Sequence, residues 1–373
     1  MNFFTFNFSK KQNCILFFAV LFILFMSANV MLHYYQVFKT SKDYFVNIID
    51  SKYQHMKLNH DPGDLDVIFI GSSKTYYHIS TALFNKNDIN SYNLSMTACL
   101  PLSFPSMIDN AIEQQPKYIA MGIDLEFFYN DFEPRIPTPG LQDIEAQIAT
   151  GLSKEIVYRT SVDYLKKSIP VAKYSVTILR KAKIFFNRFT AGYFEEPSVA
   201  VQGKSTGDAV TTVSPLNLNA DSKIFAVQSV TKDYHVTKCV NGDGVLFGTT
   251  LKEVPPVSVK KEFGEPRKKN IEFVNYLIDV INKNNIKAFI FLCPMLNDKT
   301  NFDKELSVLR KELKAPILDM TKSIPPELKY WSDTDPHLSN DGRLLFSKEL
   351  MNEMAKYNIP NERRTLLGGI VKE

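Results

Sequence analysis

The feature that most constrains the fold is an apolar run, Val67 to Ile70, that stops at Gly71-Ser72-Ser73. Consecutive β-branched and aromatic residues are typical of a strand buried on both faces, as in a parallel sheet covered by helices. Gly71 and the two serines then allow a tight turn, after which a helix can begin with a serine cap. Functional groups of open α/β sheets lie at the carboxyl ends of strands. A serine at this place is therefore either a helix cap or a candidate nucleophile.

A second polar segment lies near the end of the chain, where Asp333 and Asp335 precede His337. A loop histidine beside carboxylates can be oriented and have its cation stabilised, as the general base of a serine requires. An exposed turn would explain this segment taken alone equally well. A serine after the first strand, with Asp and His before a last helix predicted over 344–357, together favour a catalytic arrangement.

These two segments resemble motifs of the SGNH/GDSL hydrolases. In that family the nucleophile ends a Gly-Asp-Ser or Gly-Ser-Ser turn after the first strand, and Asp and His follow in a short C-terminal motif. The resemblance implies Ser73 as nucleophile, His337 as base and Asp335 as the orienting acid, with Asp333 as the rival acid. The family's usual acid lies three residues before the histidine, where this chain has Thr334, so the two aspartates stay as alternatives.

Two further segments resemble the oxyanion-hole blocks of the same family. The segment from Tyr92 to Ala98, which overlaps the end of the second predicted strand, contains Asn93 and Ser95, with Ser95 in place of a glycine whose N–H donates to the oxyanion. Gly122 and Asp124 resemble the third block, with Asp124 in place of its asparagine. A carboxylate cannot donate a hydrogen bond unless protonated. The resemblance therefore implies that backbone N–H groups of Ser73 and Ser95 serve as the oxyanion donors.

The apolar pattern predicts an α/β fold. Apolar runs predict five strands, separated by helical patterns, at about 65–71, 91–95, 117–124, 286–293 and 316–320. This alternation predicts right-handed parallel crossovers. We expect a three-layer α/β/α sandwich of SGNH type, with a flavodoxin-like, five-stranded parallel sheet.

The predicted domain organisation has five parts. Residues 1–35 form a cytoplasmic tail and transmembrane signal anchor, and residues 36–63 a linker. Residues 64–129 and 263–373 are the two parts of the core. Residues 130–262 form an insertion, helical and then built of loops and short strands, that we expect to cap the active face.

The anchor is predicted from residues 14–32, an almost unbroken apolar run with only Ser27 and Asn29 as polar members. A helix of this length, rising about 1.5 Å per residue, reaches across the hydrocarbon core of a membrane. Lys10 and Lys11 precede the run, which predicts a single-pass protein with its N-terminus inside and the catalytic domain extracytoplasmic. A cleaved signal peptide is the alternative, and either interpretation exports the remainder.

Composition excludes several classes of protein. A net charge of +4 and the absence of long basic blocks argue against nucleic-acid binding. No Gly-rich phosphate loop follows a predicted strand and no metal-type histidine spacing occurs, so we expect no cofactor and no metal. The 4 cysteines contain no C-x-x-C pair. One disulfide among Cys99, Cys239 and Cys293 stays open.

Together these patterns predict a membrane-anchored esterase or O-acyltransferase acting on cell-envelope polysaccharide or polyol esters. The membrane-anchored branch that it resembles includes proteins of teichoic acid D-alanyl transfer and polysaccharide O-acetylation. The expected partners are an envelope polymer or acyl donor and, by resemblance, a membrane-bound O-acyltransferase. The alternative is a weakly active or inactive binding or assembly protein on the same fold, which Asp124 and the irregular Asp-to-His spacing favour.

Overall fold

The computed structural model describes residues 15, 17–28, 52–53, 55–97, 99–131, 139–168, 228–229, 235–236, 246–247, 251, 253, 263–296, 301–332 and 337–360. The chain divides into two compact units. One consists of residues 1–42 and 162–204, and the other of residues 43–161 and 205–373.

The second unit contains a parallel sheet and a smaller antiparallel one. The strands are β1 (Val67–Gly71), β2 (Ser91–Asn93), β3 (Tyr118–Ile123), β4 (Gln228–Ser229), β5 (His235–Val236), β6 (Leu246–Phe247), β7 (Lys287–Leu292) and β8 (Ile317–Asp319). The parallel sheet has the order β2-β1-β3-β7-β8. Counting only its own strands this is 2-1-3-4-5, the flavodoxin-like order. The predicted α/β class with a five-stranded parallel sheet is confirmed.

Helices cover both faces of this sheet. Numbered from Ser73 onward, the described helices are α1 (Ser73–His78), α2 (Thr81–Lys86), α3 (Phe104–Ile112), α4 (Leu141–Ala149), α5 (Lys154–Ser168), α6 (Lys268–Lys283), α7 (Asp303–Glu312) and α8 (Asn340–Lys356). Alternate residues of β1 point to opposite faces, so Ile68 and Ile70 pack with α3, α6 and α7. Val67 and Phe69 pack with α2 and α8. The strands are buried on both sides, as their continuous apolar runs predict.

The predicted linker, 36–63, is partly core. Residues 52–53 and 55–59 are helical, and Lys52, His55 and Met56 are buried. The Tyr92 hydroxyl donates to the Lys52 carbonyl at 2.9 Å and lies 3.2 Å from His55 Nδ1. The core therefore begins before residue 64, because this segment fills space beside β2.

The predicted insertion, 130–262, also contributes to the core. Helix α4 packs against α3 and α6, and its Ala146 belongs to the same apolar cluster. The buried Asp143 carboxylate accepts from the backbone N–H of Ser106 at 3.0 Å and of Gly140 at 2.7 Å. This helix extends the helical layer rather than capping the strand ends. Strands β4, β5 and β6 form the antiparallel sheet further along the same range.

The described part of the predicted anchor is helical. Residues 15 and 17–28 form this helix, and its apolar side chains are exposed. Within the described ranges, no helix combines the length and the apolar character needed to cross a membrane. The predicted span, 14–32, reaches beyond the described residues at both ends.

Two glycines permit α1 to lie close to the sheet. Gly71 and Gly122 are register partners at the ends of β1 and β3. A Cβ at either position would lie 2.0 Å from Thr75 Oγ1, and at Gly122 also 2.7 Å from Phe291 Cζ. Such distances are far below van der Waals contact, so α1 can occupy its place only because both side chains are absent.

We expect Gly122→Ala to destabilise the fold by about 1–3 kcal/mol, because overpacking a filled site forces its neighbours apart. Urea unfolding followed by circular dichroism measures the loss. Gly264→Ala is the matched control, because a Cβ there meets nothing within 4 Å. Equal midpoints for the two variants would contradict this account of the packing.

Candidate active site

The site centres on a contact between the two ends of the core. Ser73 Oγ lies 2.8 Å from His337 Nε2, although the residues are 264 positions apart in sequence. Ser73 is half-buried, and His337 is 8% exposed. The two serines after β1 have separate tasks. Ser72 caps α1, its Oγ accepting from the Lys74 N–H at 3.3 Å, while Ser73 faces the imidazole.

Two backbone contacts with the segment Trp331–Ser332 hold His337 in place. Trp331 and Leu338 form an antiparallel bridge, and the Ser332 N–H donates to the His337 carbonyl at 2.8 Å. Trp331 is fully buried, with its indole N–H donating to the Pro325 carbonyl at 2.8 Å. The backbone of His337 is thus bonded to a segment whose Trp331 side chain is buried in the core.

The Tyr77 ring of α1 makes a T-shaped contact with the imidazole of His337, with the two ring centroids 5.2 Å apart. Asp333 and Asp335, the two predicted acids, lie outside the described residues. The choice between them stays a prediction.

Helix α8 fixes this loop against α1 and α2. Ser339 caps the helix, its Oγ accepting from the Gly342 N–H at 3.3 Å, which starts α8 four residues earlier than predicted. A Cβ at Gly342 would lie 2.1 Å from the Tyr330 carbonyl oxygen, so only glycine fits this contact. Ser347 Oγ accepts from the Ser80 N–H at 2.8 Å. The elements that carry base and nucleophile are therefore tied together outside the site itself.

Asn93 and Ser95 form a buried turn after β2. Asn93 Nδ2 donates to the carbonyls of Thr75 and Tyr76, at 3.1 and 3.3 Å, and its Oδ1 accepts from the Ser95 N–H at 3.0 Å. Both residues are fully buried. Because the Ser95 N–H already has an acceptor, this geometry gives no support to its predicted role as an oxyanion donor. Asn93 links the turn to α1.

Sequence reasoning missed a buried cation beneath this turn. Lys52 is fully buried, and its Nζ donates to the carbonyl of Asn93 at 3.1 Å and to that of Ser95. The same ammonium lies 4.2 Å from the centre of the Tyr76 ring. Burying an ammonium is costly unless hydrogen bonds compensate, and these carbonyls and the aromatic face provide compensation. The residues around Lys52 in the sequence include Asp50, Ser51 and Gln54, which are polar, so no local pattern indicated that this lysine is buried.

Asp124 is paired with Lys74, the residue after Ser73. Lys74 Nζ lies 2.8 Å from Asp124 Oδ1, and the two side chains are 17% and 38% exposed. Asp124 directly follows β3 and Lys74 lies in the first turn of α1, so the pair crosses the carboxyl ends of neighbouring strands. Gly122 serves the packing of α1 rather than presenting a functional group. No sequence pattern pairs Lys74 with Asp124, since 50 positions separate them.

A buried thiol lies beside this ion pair. Burial raises the pKa of the Cys293 thiol well above its usual value, and the nearby Asp124 carboxylate raises it further. Burial also raises the pKa of Cys99 to about 12. Both are free thiols, so the disulfide that the sequence left open involves neither of them. Because the thiolate is the reactive form, the site offers Ser73 and not Cys293 as its nucleophile.

Within the described ranges, no three or more His, Cys, Asp or Glu side chains are arranged to hold an ion. The arrangement described can deprotonate a serine hydroxyl and present it to an electrophilic carbonyl.

We expect Asn93→Asp to destabilise the fold by about 1–3 kcal/mol, since the carboxylate leaves two buried carbonyls without their donor. Thermal unfolding measures this loss. Asn87→Asp is the control, because Asn87 makes a similar bond to Leu83 in a half-exposed position. An Asn93→Asp variant as stable as the wild type would contradict the structural role.

We expect Cys99 and Cys293 to resist alkylation by iodoacetamide at mildly alkaline pH in the folded protein, because their raised pKa values keep both thiols protonated. Unfolding in urea should make both react. Peptide mass spectrometry measures each cysteine separately. Rapid alkylation of Cys293 in the native state would overturn the assignment of an inert thiol beside the Lys74–Asp124 pair.

Scans against known protein families, curated proteins and solved structures give no match for this chain. Function is therefore inferred from the described residues themselves, above all from the contact between Ser73 and His337.

Proposed function

We propose that the chain is an SGNH-type serine esterase or O-acyltransferase with Ser73 as nucleophile and His337 as general base. The observation that carries the proposal is the 2.8 Å contact between Ser73 Oγ and His337 Nε2. This is the distance at which a base can take the proton of a serine hydroxyl as it attacks. Asp335, or Asp333, would orient the imidazole and stabilise its cation.

The reaction has two halves. Ser73 Oγ attacks the carbonyl carbon of an ester or thioester while its proton moves to His337 Nε2. The tetrahedral intermediate collapses, the leaving alcohol or thiol takes that proton, and the acyl group stays on Ser73 as an ester. Water, or a sugar or polyol hydroxyl, then attacks this ester and gives its proton to His337, which returns it to Ser73.

An extracytoplasmic location and an envelope substrate belong to the same proposal. The exposed apolar helix within 14–32 and the lysines before it support a single-pass anchor with the N-terminus inside. An anchor would keep the site near membrane-derived acyl donors and nascent envelope polymers. A membrane-bound O-acyltransferase as partner rests on the family resemblance alone.

A binding or assembly protein on the same fold is the second candidate. The Asp124 carboxylate and the engaged Ser95 N–H favour it, because neither is a ready donor to an oxyanion. The Ser73–His337 contact favours catalysis, since a binding protein has no need of a serine within reach of a base.

Labelling with a fluorophosphonate probe, read by peptide mass spectrometry on the full-length protein in detergent, tests this proposal. We expect an adduct on Ser73 that is lost in Ser73→Ala and that forms roughly 10²–10⁴-fold more slowly in His337→Ala, the usual contribution of a general base.

Ser72→Ala is the matched control for this experiment. It removes a neighbouring serine and a helix cap at a cost of about 1 kcal/mol, yet we expect it to leave the adduct on Ser73. A folded wild type that gives no adduct on Ser73, in detergent and in its membrane fraction, would overturn the catalytic proposal and leave the binding protein.

A further inference from the structure

Two ion pairs lie at opposite ends of the neighbouring strands β1 and β3. Lys117 Nζ and Asp66 Oδ1 lie 2.9 Å apart at the amino ends of the two strands. Lys74, the residue after Ser73 in α1, has its Nζ 2.8 Å from Oδ1 of Asp124, which follows β3 at the carboxyl end. The lysines differ in burial, since Lys117 is 51% exposed and Lys74 only 17%. The Lys74 ammonium is therefore the less screened of the two.

Attack by Ser73 on a carbonyl needs a hydrogen-bond donor for the oxygen that becomes negative. The Ser95 N–H is bonded to Asn93 Oδ1, and the Asp124 carboxylate only accepts. The N–H of Ser73 lies in the first turn of α1, where helix N–H groups have no acceptor within the helix. A second donor is needed from a side chain, and an ammonium carries three N–H groups.

We propose that Lys74 is the side-chain donor to the oxyanion, and that Asp124 is a positioning residue that holds its ammonium. This inference rests on the proposed function of Ser73. The carboxylate holds the Lys74 nitrogen at the carboxyl end of β3 through one bond, and an ammonium can donate three. The pair as a whole is neutral, so it does not oppose the positive charge that His337 acquires during attack.

The step balances without a further reactant. As the bond from Ser73 Oγ to the carbonyl carbon forms, the π electrons of the carbonyl move to its oxygen. Lys74 donates a hydrogen bond to that oxygen and keeps its proton. When the leaving group departs, the electrons return to re-form the carbonyl, and the hydrogen bond weakens.

The rate of fluorophosphonate labelling of Ser73 tests Lys74 directly, because the probe's phosphoryl oxygen occupies the oxyanion position. We expect Lys74→Met to lower this rate roughly 100-fold, the cost of losing one such donor. Lys74→Arg should retain part of the rate, since a guanidinium also donates but with a different geometry. Lys117→Met, the matched control at the other end of the strands, should label at the wild-type rate.

A purely structural role for Lys74 would be to neutralise Asp124. The double variant Lys74→Met/Asp124→Leu separates the two roles, because it removes both charges and retains apolar bulk. We expect the double variant to stay as slow as Lys74→Met. Thermal unfolding establishes that each variant is folded. If Lys74→Met does not fold, the labelling rate of Lys74→Arg tests the inference instead.

Two results would overturn the inference while leaving the proposed function intact. One is a Lys74→Met variant that labels as fast as the wild type, and the other is recovery of the rate in the double variant. A wild type that gives no adduct on Ser73 would instead remove the proposed function, and this inference with it.

Discussion

The site depends on the close approach of α1 to the ends of β1 and β3. Gly71 and Gly122 face each other in register, and Thr75 of α1 occupies the space that their side chains would need. This approach puts the first turn of α1, and with it Ser73, directly above the carboxyl ends of the strands. Neighbouring strands end at this edge in a parallel sheet, so Asp124 comes within reach of Lys74 by the same geometry.

His337, the other member of the site, is positioned by a different set of contacts. His337 lies on a loop, which by itself would be a poor way to place a base. The buried Trp331, the bridge from Trp331 to Leu338 and the cap of α8 at Ser339 remove most of that freedom. Because α8 also bonds to the segment between α1 and α2, movement of the base requires movement of the nucleophile's own support. The Ser73–His337 distance is therefore set by packing and not by the contact alone.

Each buried or partly buried lysine at this edge of the sheet is paired with oxygen acceptors. Lys52 compensates the carbonyls of the turn after β2, and Lys74 compensates Asp124. Both lysines come from short helical segments, and each crosses to a different strand end. Such charges are stable in partly buried positions only when their hydrogen-bonding capacity is met. The same requirement explains why Asn93 bonds to three backbone groups rather than pointing into the site.

Local pattern determined the strands and most helices, because continuous apolar runs and helical spacing are properties of short windows of sequence. The five strands were predicted within two residues of their observed ends. The Gly-Ser-Ser turn after the first strand identified Ser73 as the residue to examine. The sequence pattern located the limits of the core less well, since the predicted linker, 36–63, and the predicted insertion, 130–262, both contain core residues. Helix α4 and the helical residues 52–53 and 55–59 contribute to the core, because space beside β2, α3 and α6 had to be filled.

Only the tertiary structure decided which side chains meet. The sequence named Ser73 and His337 as partners by resemblance, but it contained nothing on the bond between Ser95 and Asn93 or on the pair of Lys74 with Asp124. Those contacts depend on strand register and on the depth of α1 over two glycines. Register and depth follow from the packing of the whole sheet, which joins residues far apart in the chain, whereas a sequence pattern reports only on neighbours.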